Sequence, residues 1–141
     1  MYQRDYILRI IEQLGRALIQ LRNRIMGRQM EAGEVHAELR AVAARAGVDL
    51  DLARVLGSEM LPRLIAPSGE AEPARCWLFA ELLYLEGLQA RQDGRTEAAR
   101  ADLVRAAEFY ALLPSRWEAP EGFPPAAERV AEIRTLLDST P

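Results

Sequence analysis

Six apolar residues, Ile7, Ile11, Leu14, Leu18, Leu21 and Ile25, recur at spacings of 4, 3, 4, 3 and 4. A helix turns by about 100° per residue, so this spacing keeps all six in a narrow band on one side. The pattern is a heptad-like seam, the kind that holds one helix against another. A strand has no use for it, because alternate side chains would point to opposite faces. The seam therefore demands a helical partner, supplied either by the rest of this chain or by a second copy. The six residues are the candidate interface. Ile10 and Ala17 broaden one edge of the band, while Arg9 and Arg16 lie opposite it.

The same period continues along the chain. Val35, Leu39, Val42 and Ala46 predict a second helix over about 31–46, with Gly47 as its left-handed terminator. Asp49 is a natural N-cap for a third helix carrying Leu52, Val55, Leu56 and Leu64, which Pro62 should kink near Met60. Residues 66–73 combine breakers with charge and read as a loop or hinge within one domain. A fourth helix starts near Pro73, and Cys76 to Leu88 leave it almost no polar face, so it belongs at the centre of the core. Asp93-Gly94 turns the chain into a fifth helix, about 96–113, with Ala99, Leu103, Ala106 and Tyr110 inward. A loop over 114–125 carries Trp117 and Phe123. A sixth helix from Pro124 or Pro125 to about Asp138 turns Val130, Ile133 and Leu137 inward. No stretch alternates as a half-buried strand does. The expectation is an all-α chain of about six helices in antiparallel hairpins. It forms one domain over 1–141, with N-terminal helices in 1–66 and a second helical region in 72–141.

Charge narrows the function classes. The net charge is −3, and all 18 basic residues are Arg, which reads as the mark of a GC-rich genome. Residues 1–29 hold six Arg against Asp5 and Glu12, a balance of +4, which leaves −7 for the remainder. A basic first helix on an acidic body can dock on its own body, on a copy, on nucleic acid or on an anionic membrane surface. It lacks the clustering of basic residues with aromatics that base stacking would use, so no nucleic-acid partner is expected. No segment is apolar enough to predict a membrane span, no signal peptide is evident, and the expected compartment is the cytoplasm.

Chemistry is sparse. His36 is the only histidine and Cys76 the only cysteine, so neither a disulfide nor a metal site of the usual spacing is expected. Cys76 sits in the most apolar stretch and reads as an inert buried thiol. Glu70 with Glu72, and Glu118 with Glu121, fall in Pro- and Gly-containing loops and read as solvated charge. There is no phosphate-binding glycine loop. No catalytic residue and no cofactor is expected.

Helices four and five resemble a tetratricopeptide hairpin. Counted from Ala80, Gly87 falls at the small crossing position, Ala90 on the facing turn, Gly94 in the loop, and Ala99, Leu103 and Ala106 on the second helix. Leu83 stands where the family has a large aromatic, and its terminal proline is displaced to Pro114. Separately, the string from Tyr2 to Gln13, with Ala46-Gly47-Val48-Asp49-Leu50-Asp51-Leu52, resembles a family of small bacterial proteins classed as a domain of unknown function. That resemblance implies an all-helical bacterial cytoplasmic protein and brings no activity with it. Taken together, the expectation is a non-enzymatic protein–protein interaction or scaffold protein that self-associates, most simply as a homodimer. The alternative is an accessory protein that uses the basic first helix on nucleic acid or an anionic membrane. Arg91, Arg95, Trp117 and Phe123 are the candidate partner groove.

Overall fold

The computed structural model describes residues 2–47, 49–55 and 73–139, with side chains except those of 2–8 and 52–54. The described residues form six helices and no strand: α1 (Tyr2–Met26), α2 (Ala32–Arg45), α3 (Leu50–Val55), α4 (Pro73–Gln92), α5 (Thr96–Ala111) and α6 (Ala126–Asp138). Most of the 66–73 loop, the kink expected at Pro62, and the side chains of Ile7, Leu52, Leu56 and Leu64 lie outside the described residues.

The helix ends follow local chemistry. The Arg28 amide donates to Ile25 O and the Gln29 amide to Arg24 O, which closes α1 with a Schellman turn. Its left-handed residue is Arg28, at φ 56°, rather than a glycine. The α4–α5 turn repeats the geometry with Gly94 at φ +77°, where the Gly94 amide donates to Arg91 O and the Arg95 amide to Ala90 O. The Glu34 carboxylate reaches back to the Glu31 amide at 3.3 Å and caps the start of α2. Gly47 follows α2 at φ +72°, as its position after the last apolar residue predicts.

Helix α4 occupies the centre. Ala74 and every residue from Cys76 to Ala90 are buried. It packs against α1, α2, α3 and α5, and α6 then packs on α5. The α1 seam is covered by this arrangement: Ile11, Leu14, Leu18, Leu21 and Ile25 are each no more than 2% exposed. Burying five such side chains stabilises by roughly 1.5–3 kcal/mol each before chain entropy is counted. Val55 departs from its expected inward position and is 77% exposed.

The α4–α5 hairpin is close-packed where small residues allow it. A Cβ at Gly87 would come within 2.8 Å of Leu103 Cγ and Cδ2. Phe79 and Phe109 stack across the same interface at 5.3 Å. No described helix is long and apolar enough to cross a membrane.

Candidate functional site

A helix buried on all sides should carry apolar residues only, yet α4 buries Glu81, Glu86 and Gln89. Each is a costly choice unless it is partnered. Glu81 Oε1 accepts the Tyr110 hydroxyl of α5 at 2.6 Å and Arg129 Nε of α6 at 3.2 Å. The Arg129 guanidinium lies over the Tyr84 ring, 4.2 Å from its centroid, and Arg129 Nη1 is 3.5 Å from Glu132 Oε1. The Tyr84 hydroxyl accepts Arg22 Nε of α1 at 3.3 Å. One polar knot thus joins α1, α4, α5 and α6. Burial pushes the Glu81 carboxyl up, against the opposing pull of Arg129 and Tyr110. Burial likewise pushes the Tyr84 hydroxyl to about 12 and raises Tyr110 well above its ordinary value. The knot is sealed at Glu81 and Arg129 and meets solvent at Arg22 and Glu132, whose side chains are 35% and 37% exposed. Its chemistry is positional: it sets the rotation of α6 and α1 about α4, because an apolar interface would tolerate sliding that directed hydrogen bonds do not.

A second polar link holds the N-terminal hairpin. His36 Nδ1 of α2 lies 2.6 Å from Glu86 Oε1. Gln89 Nε2 donates to Met30 O at 3.4 Å and to the Asp93 carboxylate at 3.2 Å. On α4 the partner of His36 is ten residues from Cys76, about 15 Å along the axis, so histidine and thiol are not brought together. Cys76 Sγ donates to Phe109 O at 3.0 Å, and burial pushes the thiol up to about 12. It is therefore a thiol rather than a nucleophilic thiolate. Among the described residues no group of three or more His, Cys, Asp or Glu is placed to hold a metal.

The four residues of the expected partner groove fall into two separate places. Phe123 packs edge-on against Trp77 at 4.8 Å, and Trp117 lies 6.1 Å from the same ring. A Cβ at Gly15 would sit 3.4 Å from the Phe123 ring, and one at Gly122 would come 2.9 Å from Ile19 Cδ1. The loop thus plugs the gap between α1 and the start of α4, where Gly122 at φ +93° lets the backbone close. Arg91 and Arg95 stand at the other end of α4, where Arg91 Nη2 donates to Ser139 Oγ and Arg95 Nη2 to Asp93. Trp77 and Arg91 are fourteen residues apart on one helix, about 21 Å, which no single short groove spans.

The α1 seam is occupied within the chain, and the large apolar side chains exposed among the described residues are Met26, Val55, Val104 and Leu112. On α5 the inward set Ala99, Leu103, Ala106, Phe109 and Tyr110 leaves Ala101, Val104 and Ala111 facing out. Val104 is 38% exposed and Leu112, just past the helix, 47%. Glu97, Arg100, Arg105 and Glu108 border a shallow depression on this face. The pattern is legible in the helical wheel of α5, though the α1 seam is the longer signal.

Comparison with known proteins finds no matching family model, no matching curated protein and no matching solved structure.

Proposed function

We propose that this chain is a non-enzymatic protein–protein interaction module that self-associates and works through the outer face of α5. The observation that carries this reading is the placement of Ala101, Val104 and Leu112. They are exposed beside charges of both signs, whereas the α1 seam is covered by the chain itself. A small apolar centre with a charged rim is the usual anatomy of a protein interface. The α4–α5 hairpin, with Gly87 against Leu103, supports a tetratricopeptide-like use of helical faces for binding rather than for chemistry. The expected setting is the bacterial cytoplasm.

The test is assembly by the full chain, with itself or with another protein, before and after Ala101→Arg/Val104→Glu. The double variant should abolish specific association while keeping native helicity. Arg9→Glu/Arg16→Glu on the far side should leave association intact. Absence of any association that depends on Val104 would refute the reading. Salt-sensitive binding to DNA or anionic vesicles that disappears in Arg9→Glu/Arg16→Glu would replace it with the accessory-protein alternative, since phosphate contacts weaken steeply with salt.

A further inference from the structure

Ala101, Arg105, Glu108 and Leu112 succeed one another at spacings of 4, 3 and 4 along one flank of α5 and its C-cap. Ala101 and Leu112 are exposed. Arg105 Nη1 and Glu108 Oε2 lie 3.4 Å apart, with side chains 21% and 39% exposed. The order is apolar, basic, acidic, apolar. Read in reverse it becomes apolar, acidic, basic, apolar, so the strip is complementary to itself when turned end for end. Two helices related by a perpendicular two-fold axis run antiparallel and bring the same flank of each together, as any isologous interface must. With the axis between Ala106 and Ala107, Arg105 of each copy falls beside Glu108 of the other, and Ala101 beside Leu112. Val104, on the same outer face, adds apolar surface next to the strip.

We propose that the occupant of this face is a second copy of the chain, docked antiparallel on α5. This rests on reading α5 as the interaction face of a self-associating chain and adds the orientation and register of the pairing. A stable dimer buries about 1,200–2,000 Å² in total. One helix on one helix lies at or below the low end of that range. The pairing is therefore weak and reversible, with a dissociation constant on the order of tens of micromolar or higher.

Sedimentation equilibrium on the full chain, from about 10 µM to about 1 mM to bracket that range, reads the association. The unmodified chain should show a reversible monomer–dimer equilibrium. Arg105→Glu gathers four acidic groups at the axis and should weaken it at least about tenfold. Arg105→Glu/Glu108→Arg reverses both charges, keeps the strip self-complementary, and should restore dimerisation. A 1:1 mixture of Arg105→Glu and Glu108→Arg chains leaves the intrachain pair broken in each chain yet makes the facing charges complementary, and its association is what a merely structural role for Arg105 would not produce. Circular dichroism checks the fold, and Val104→Arg serves if Arg105→Glu proves unstable. Orientation is read by mixing Ala101→Cys and Leu112→Cys chains under oxidation, where antiparallel docking gives mostly mixed disulfide dimers. A strict monomer up to about 1 mM overturns the pairing. So does a dimer indifferent to the charge variants, or one that links like with like. If the chain is monomeric yet binds another protein in a Val104-dependent way, self-association falls, and with it the pairing, while the reading of α5 as a protein-interaction face stands. If neither occurs, both fall.

Discussion

Replacing Arg129 by Met tests the buried knot most directly. Arg129 is 4% exposed and Glu81 1%. The substitution keeps the length of the side chain but removes the cation 3.2 Å from Glu81 Oε1 and the contact over Tyr84 at 4.2 Å. Breaking a buried pair from one side costs about 3–5 kcal/mol, because a carboxylate is left inside without its counter-charge. The lost cation–π contact, about 2 kcal/mol for a desolvated pair, is included in that figure. Glu81 has one escape, which is to take up a proton. Burial already holds its folded value above the ordinary one, and losing the pull of Arg129 moves it further up. A group raised on folding contributes stability that is present below its unfolded value of about 4.5 and lost as pH rises through the folded value. The cost of Arg129→Met should therefore be larger at pH 8 than at pH 5. Adding Glu81→Gln removes the charge but keeps an acceptor for Tyr110. The pair Glu81→Gln/Arg129→Met should recover at least about 2 kcal/mol relative to Arg129→Met alone. Urea unfolding followed by circular dichroism at both pH values measures each difference. A loss below about 1 kcal/mol, or one equal at both pH values, would show that no ionised pair is held inside.

Gly87→Ala gains about 1 kcal/mol of helix propensity but forces a Cβ to 2.8 Å from Leu103, an overpacking cost of about 1–3 kcal/mol. Net destabilisation of about 1 kcal/mol is expected, and Leu103→Ala should cost less in that background than in the unmodified chain. Arg28→Gly should stabilise by about 0.5–1 kcal/mol in the same urea assay, because φ 56° strains a residue with a Cβ by more than glycine loses in chain entropy. Cys76, pushed to about 12, should resist alkylation at pH 8 in the folded chain and react rapidly in urea. Cys76 and Tyr84 are both raised, so the stability they contribute is complete below their ordinary values of 9 and 10 and is lost as pH rises toward 12. Tyr84→Phe should make alkaline unfolding, followed by circular dichroism, less steep.

Much of the architecture was legible in residue order, because helix formation and helix ends depend on neighbours a few residues away. The seam of α1, the turns at Gly47 and Gly94, the start of α4 at Pro73 and its central position all follow from local period and backbone freedom. So does the crossing at Gly87, since only a missing side chain admits Leu103 so closely. The polar knot was not legible. Arg129 reads as one more surface charge on α6, and its partner Glu81 lies 48 residues away. The aromatic loop was only half legible: Trp117 and Phe123 announce an apolar purpose, but the path of the loop over α1 decides that they cover Trp77 rather than line a groove with Arg91. The same holds for the seam. Its spacing requires a helical partner without naming one. Tertiary packing assigned it to α4, because α4 is buried on every side and has to be enclosed by its neighbours.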